Sequence, residues 1–91
     1  ISDYTKAIEV DPNDANAYYN RGLVKYDLKD YNGAISDSKK ALEINPNYTS
    51  AYKNRGIDKE IIGDLNGACA DWQKASKLGD QDATQWVRND C

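Results

Sequence analysis

The chain repeats itself every 34 residues. Displaced by 34, it is identical to itself at 21 of the first 41 aligned positions, where chance would give about three or four at ordinary amino-acid usage. Pro12 falls on Pro46, Asn20-Arg21-Gly22 on Asn54-Arg55-Gly56, Asp30 on Asp64, and Asn32-Gly33-Ala34 on Asn66-Gly67-Ala68. Ala7 falls on Ala41 and again on Ala75. A period of this length marks an array of stacked supersecondary units, none of which can bury its apolar face alone. Such arrays usually present a surface to a partner rather than carry out chemistry.

Each unit reads as two helices. From Ala15 to about Leu28, Tyr18, Tyr19, Gly22, Leu23 and Tyr26 recur at helical spacing. Asp30 can cap the next helix, its carboxylate accepting from free backbone N–H groups. That helix carries Tyr31, Ala34, Ile35, Ser38, Ala41 and Leu42 on one face. Asn45-Pro46 ends it, because a residue before proline is pushed away from helical angles. The following unit repeats the scheme, with Gly63-Asp64 as the hinge.

A helix–turn–helix of this period resembles the tetratricopeptide repeat (TPR) family. The matching columns are Tyr18 and Tyr52 opening the first helix, then Gly22 and Gly56 where helices approach closely. Ala34 and Ala68 open the second helix, Ala41 and Ala75 follow, and Pro12 and Pro46 close the unit. The Asn-Arg-Gly variant is similar to repeats of bacterial multi-TPR proteins. The resemblance implies an all-α fold, a right-handed α-solenoid of antiparallel helix pairs with about six helices. The chain departs from the family pattern in losing the proline column at Asp80, and in two further columns. Arg21 and Arg55 stand where leucine is usual, and Lys25 and Lys59 where tyrosine is usual.

Ile1-Ser2-Asp3 aligns with Ile35-Ser36-Asp37, so the chain opens inside a unit. The expected organisation is one domain: 1–12 the second helix of a truncated repeat, 13–46 and 47–79 two repeats, and 80–91 a capping helix. Beyond Ala75 none of the last 16 aligned pairs is identical. Leu78-Gly79-Asp80 reads as a helix stop and a new cap. Trp86 then takes the column of Tyr18 and Tyr52, while Gln81, Asp82, Gln85, Arg88, Asn89 and Asp90 supply the polar outer face that a terminal repeat needs. The C-terminus thus reads as a natural end and the N-terminus as a cut. Tyr4, Ala7, Ile8 and Val10 would then be partly uncovered, which implies self-association through that end.

Net charge is −3 and mean hydropathy −0.87, with a sequence pI near 4.8. A nucleic-acid partner would require a basic stripe, which this acidic chain lacks. No stretch has the length and apolarity of a membrane span. No leader is legible in these residues, so a cytoplasmic protein is expected, with an upstream targeting segment left open. Cys69, beside Ala68 in a packed column, reads as a small buried residue. A disulfide with Cys91 is the alternative, and sequence alone does not establish its geometry. Metal or redox roles find no support, because there is no CxxC pair and no histidine.

Catalysis finds no support either. Without histidine the commonest general base near neutral pH is missing. The Asn32-Gly33 and Asn66-Gly67 pairs belong to inter-helix turns, not to a phosphate loop. Most carboxylates lie in recurring columns, such as Asp3, Asp37 and Asp71, and recurrence is what a structural role predicts. No cofactor is expected. Arg21 and Arg55, placed where helices meet, need partners, because an unpaired buried charge is costly. Asp3, Asp37 or Asp71 on neighbouring second helices could supply them, in a ladder that includes an Arg55–Asp37 pair. The other reading lays the arginine stems on the core with their heads in water.

The remaining surface is where the units diverge. In the TPR family the first helices line a concave face. Here that face would hold Asn16, Tyr19, Leu23, Tyr26 and Asp27 from one repeat, and Ser50, Lys53, Asn54, Ile57, Glu60 and Ile61 from the next. The capping helix adds Thr84, Val87 and Arg88. These positions recur at three- and four-residue steps and form one stripe. Along it Tyr19 aligns with Lys53, Tyr26 with Glu60 and Asp27 with Ile61, a divergence that suits a specialised surface. Exposed tyrosines and aliphatics there would make interface anchors. Some TPR domains clamp a peptide's terminal carboxylate with lysines, asparagines and an arginine. Asn54 and Arg88 match that set, whereas Tyr19, Leu23 and Thr84 stand where it needs lysine, asparagine and lysine. Two readings of function result. One is an adaptor that binds a peptide or protein segment on the concave face. The other is a structural module stacking end to end through its first helix.

Overall fold

The computed structural model describes the backbone of residues 2–91 and the side chains from Tyr4 onward. Six helices follow one another among these residues: α1 (Ser2–Val10), α2 (Ala15–Asp27), α3 (Tyr31–Ile44), α4 (Thr49–Ile61), α5 (Leu65–Lys77) and α6 (Gln81–Asp90). The principal contacts join consecutive helices, in an elongated array of 40 × 25 × 16 Å. This is the expected all-α solenoid, and the helix ends fall within a residue or two of the stops and caps read from sequence.

Local chemistry sets those ends. Asp30, Asp64 and Asp80 each accept a hydrogen bond from the backbone N–H three residues on, at 3.0, 2.9 and 2.9 Å. Asp14 accepts from Asn16 and Ala17. Each carboxylate satisfies donors that the first helical turn leaves free. In α4 the column of Asp14 is occupied by Tyr48, which makes no side-chain cap. Its ring instead packs 4.9 Å from that of Tyr19, and its hydroxyl donates to Asn16 Oδ1 at 2.8 Å. Helices α4 and α5 leave their last turns through Gly63 (φ 91) and Gly79 (φ 104), left-handed conformations that glycine adopts without penalty. In the column of Gly63 the first repeat has Lys29, at φ 64.

The core is built from alanines and aromatics. One cluster joins Ala41, Leu42 and Ala51 with Tyr18, Tyr19, Tyr48 and Tyr52 around it. A second joins Ala68, Trp72, Ala75 and Ala83, flanked by Tyr52, Ile57, Trp86 and Val87. Small residues let the helices close up, and the large rings fill what remains. Trp72 is the extreme case: it is 2% exposed, and a Cβ on Gly56 would fall on its indole ring. At Gly22 the same Cβ would meet Ala34 O at 3.4 Å and Asp37 Cβ at 3.5 Å, close to ordinary contact. Identical glycine columns therefore serve different neighbours in the two repeats.

Cys69 and Cys91 form a disulfide, with Cα atoms 6.0 Å apart and 22 residues between them in sequence. This corrects the reading of Cys69 as a simple buried residue: it is half-buried, and the bond ties the end of α6 back to α5. Trp86 rests on Trp72 with ring centroids 5.3 Å apart, and the six polar residues expected on the outer face of α6 are exposed. No helix among the described residues is long and apolar enough to cross a membrane.

Candidate functional site

The arginine and lysine columns that depart from the family pattern belong to one electrostatic unit. Arg21 grips Asp37 in two-pronged fashion, Nε to Oδ2 at 2.9 Å and Nη2 to Oδ1 at 2.7 Å. Lys25 Nζ lies 3.1 Å from the same carboxylate. One repeat on, Arg55 holds Asp71 at 2.8 and 2.6 Å, with Lys59 Nζ at 3.1 Å. Both aspartates are 3% exposed, so each buried carboxylate needs two cations and their hydrogen bonds to offset desolvation. The guanidiniums also sit over Tyr18 and Tyr52, 5.6 and 5.8 Å from the ring centroids. These hydrogen bonds hold both guanidiniums above their ordinary pKa. Each pair stays within its own repeat, 16 residues apart. The Arg55–Asp37 pairing between units is therefore not formed, because Asp71 is nearer and Arg21 already occupies Asp37. Asp3, the third member of that column, has a side chain outside the described residues.

The arginines are occupied by structure, and the stripe lies apart from them. Tyr19, Leu23 and Tyr26 from α2 and Asn54 and Ile57 from α4 line one groove of about 160 Å³. It is mostly apolar in character. Leu23 and Tyr26 are 36% and 39% exposed, and Tyr26 meets Tyr31 edge to face, centroids 5.7 Å apart. Asn54 Nδ2 donates to the Tyr19 hydroxyl at 2.8 Å, which fixes that ring across the two repeats. Glu60 lies beyond Ile57 in a second recess with Trp72, Trp86 and Asp90.

The other predicted positions line neither recess. Asn16 accepts from Tyr48, and Asp27, Ile61 and Arg88 are exposed. Ser50 is half-buried. Lys53 reaches Asp80 at 3.7 Å and Asp82 at 3.5 Å, so its charge ties α4 to the start of α6.

Sequence reasoning missed three lining residues: Gly22 as a wall, Ser38 and Asp58. Asp58 is the most informative. It is 2% exposed. Among the described residues its Oδ1 is the one buried side-chain polar atom with no hydrogen-bond partner. Burial pushes its carboxyl up to about 7. A signal for it was present, since Asp58 aligns with Val24 at the 34-residue displacement: an acid replaces an apolar residue within a helix of the array.

A family model for the tetratricopeptide repeat matches residues 15–48. Among solved structures, the first TPR of Spaghetti (RPAP3) bound to HSP90 peptide SRMEEVD superposes with a TM-score of 0.89 at 31% identity, covering 94% of this chain and 70% of that one. The first TPR domain of human RPAP3 gives 0.88 at 31% identity, covering 94% and 69%. The N-terminal domain of stress-induced protein-1 from C. elegans gives 0.88 at 22% identity, covering 94% and 74%, a likeness of fold. No curated protein sequence matches. With this likeness over nearly its whole length, the chain belongs to the tetratricopeptide repeat family.

Proposed function

We propose that this domain is an adaptor that binds a peptide or protein segment in the groove between its first helices, on the concave face of the repeats. Family membership supports the broader function, a protein-interaction module. The observation that carries the finer reading is the groove itself. It leaves Tyr26 and Leu23 well exposed beside Tyr19 and Ile57, and amphipathic rings flanked by aliphatics are the usual anchors of an interface.

The neighbour bound to HSP90 peptide SRMEEVD supports a peptide as the type of partner. The ligand chemistry need not be shared. That peptide carries three acidic side chains, whereas this groove presents Asp58, with Glu60 in the next recess. Arg88 lies outside both recesses, and Asn54 is engaged by Tyr19.

The test is a pull-down from the source lysate with the wild-type domain and its Tyr19→Ala/Tyr26→Ala form, matched for helicity by circular dichroism. The expected result is a partner held by the wild type and lost by the variant. Recovery of nothing but copies of the domain, equally with both forms, would overturn the groove as the binding site.

A further inference from the structure

Asp58 carries an inference that rests on this reading of the groove and specifies its ligand. A buried polar atom without a partner is rare in a native fold and calls for an explanation. Packing does not give one, because Val24 fills the aligned position in the preceding repeat without any such cost. Among the described residues, no lysine or arginine forms an ion pair with the carboxylate. From α2 the groove receives Tyr19 and Tyr26, from α3 Ser38, and from α4 Asn54 and Ile57. Across α4, Asp71 of α5 is already taken by Arg55 and Lys59, and Lys53 is drawn to Asp80 and Asp82. The adjoining recess adds Glu60 and Asp90 beside Trp72 and Trp86. Among the described residues, no lysine or arginine lines either recess.

We propose that the groove admits a lysine side chain of a bound peptide, its aliphatic stem between Tyr19, Leu23, Tyr26 and Ile57 and its ammonium on the Asp58 carboxylate. A lysine joins a four-carbon apolar stem to a compact charge. That form matches a mostly apolar groove with a buried acid in its lining. Arginine's planar fork is suited to two acceptors in one plane, whereas this carboxylate, with Oδ1 fully buried, presents at most one oxygen to the groove. In the free domain the carboxyl titrates near neutrality because it is desolvated. An incoming ammonium favours the ionised form, so binding should release a proton and strengthen as pH rises.

Octapeptide pools, acetylated and amidated so that no terminal charge contributes, test this by fluorescence anisotropy. One central position is fixed as lysine, norleucine, arginine or glutamate, and the rest are equimolar mixtures. The lysine pool should bind at least about tenfold more tightly than the norleucine pool at pH 8. That advantage should shrink about tenfold by pH 6, as Asp58 takes up its proton. Asp58→Asn should abolish the lysine preference and retain norleucine binding. Asp58→Val, which copies Val24, should do the same in a better-packed background. Three results would overturn the proposal: equal lysine and norleucine affinity in the wild type, an arginine pool bound as tightly as the lysine pool, or a lysine preference that survives Asp58→Asn. In each of these the groove would stand if Tyr19→Ala/Tyr26→Ala still weakened binding. Binding of no pool would overturn the groove reading together with this one.

Discussion

Asp58 and Val24 occupy the same column, yet one is a carboxylic acid, buried in the groove lining. The acid has a thermodynamic signature that needs no ligand. Its carboxyl is raised from 3.8 to about 7 on folding, so between those values the native state holds a proton that the unfolded chain has released. Stability is then greatest below pH 4 as far as this group is concerned, and falls as pH rises through 7. Allowing for partial solvent screening, the effect is worth at most a few kcal/mol. Asp58→Val should remove the slope. In urea melts it should be more stable than the wild type, with a gap that widens between pH 5 and pH 8. A gap independent of pH would mean that the carboxylate is better solvated than its burial indicates. The replacement itself was legible in sequence as a break in a column. Its burial was not, because that depends on which face of α4 the groove closes over. The Arg–Asp pairs show the same division. The need for partners followed from two arginines at a helix contact. Their register within each repeat followed only from the packing, which also brings Lys25 and Lys59 to the same carboxylates.

At the scale of the element, helix ends were legible because their chemistry is local: an aspartate three residues before a free N–H, a glycine after the last turn. The disulfide between α6 and α5 was legible only as an alternative, since it depends on two cysteines 22 residues apart meeting in space. Helix α6 has 10 residues, too few to be stable alone. It is held by Trp86 on Trp72, by the Ser76–Thr84 hydrogen bond at 2.5 Å, and by the disulfide. Closing a loop of this length removes about 3 kcal/mol of conformational freedom from the unfolded chain. Reduction, or Cys91→Ser, should lower stability by about that amount in denaturant melts. Because both tryptophans lie at this junction, their emission should shift to the red as α6 loosens. A denaturation midpoint unmoved by reductant would show that the aromatic contact alone secures the helix.

For the molecule as a whole, the 34-residue period predicted a chain whose parts touch mainly their sequence neighbours, and the principal helix contacts are indeed consecutive. Stability in such an array is a sum of unit and nearest-neighbour contributions, so it need not be uniform along the chain. Helix α1 has its principal contact with α2 alone. A long Arg21–Thr5 contact at 3.5 Å bridges the two, and Val10 is 87% exposed. Helices α3, α4 and α5 are packed on both sides and carry most of the buried residues, together with both buried aspartates of the ion-pair units. Amide exchange should therefore be graded. The amides of α1 should exchange first, by local opening, and those of α3 to α5 last, at the free energy of global unfolding. Asp58→Val should then raise protection in α3 to α5 at pH 8 and leave α1 unchanged, since α1 already exchanges by its own route. Equal protection from α1 to α6 would mean that the array unfolds as one unit. The groove, lined from α2, α3 and α4, spans the boundary between the two repeats, so a ligand bound there would clamp neighbouring units together. A graded array gives that clamp something to act on: binding would raise protection most in the helices that line the groove and would leave α1 the first to open.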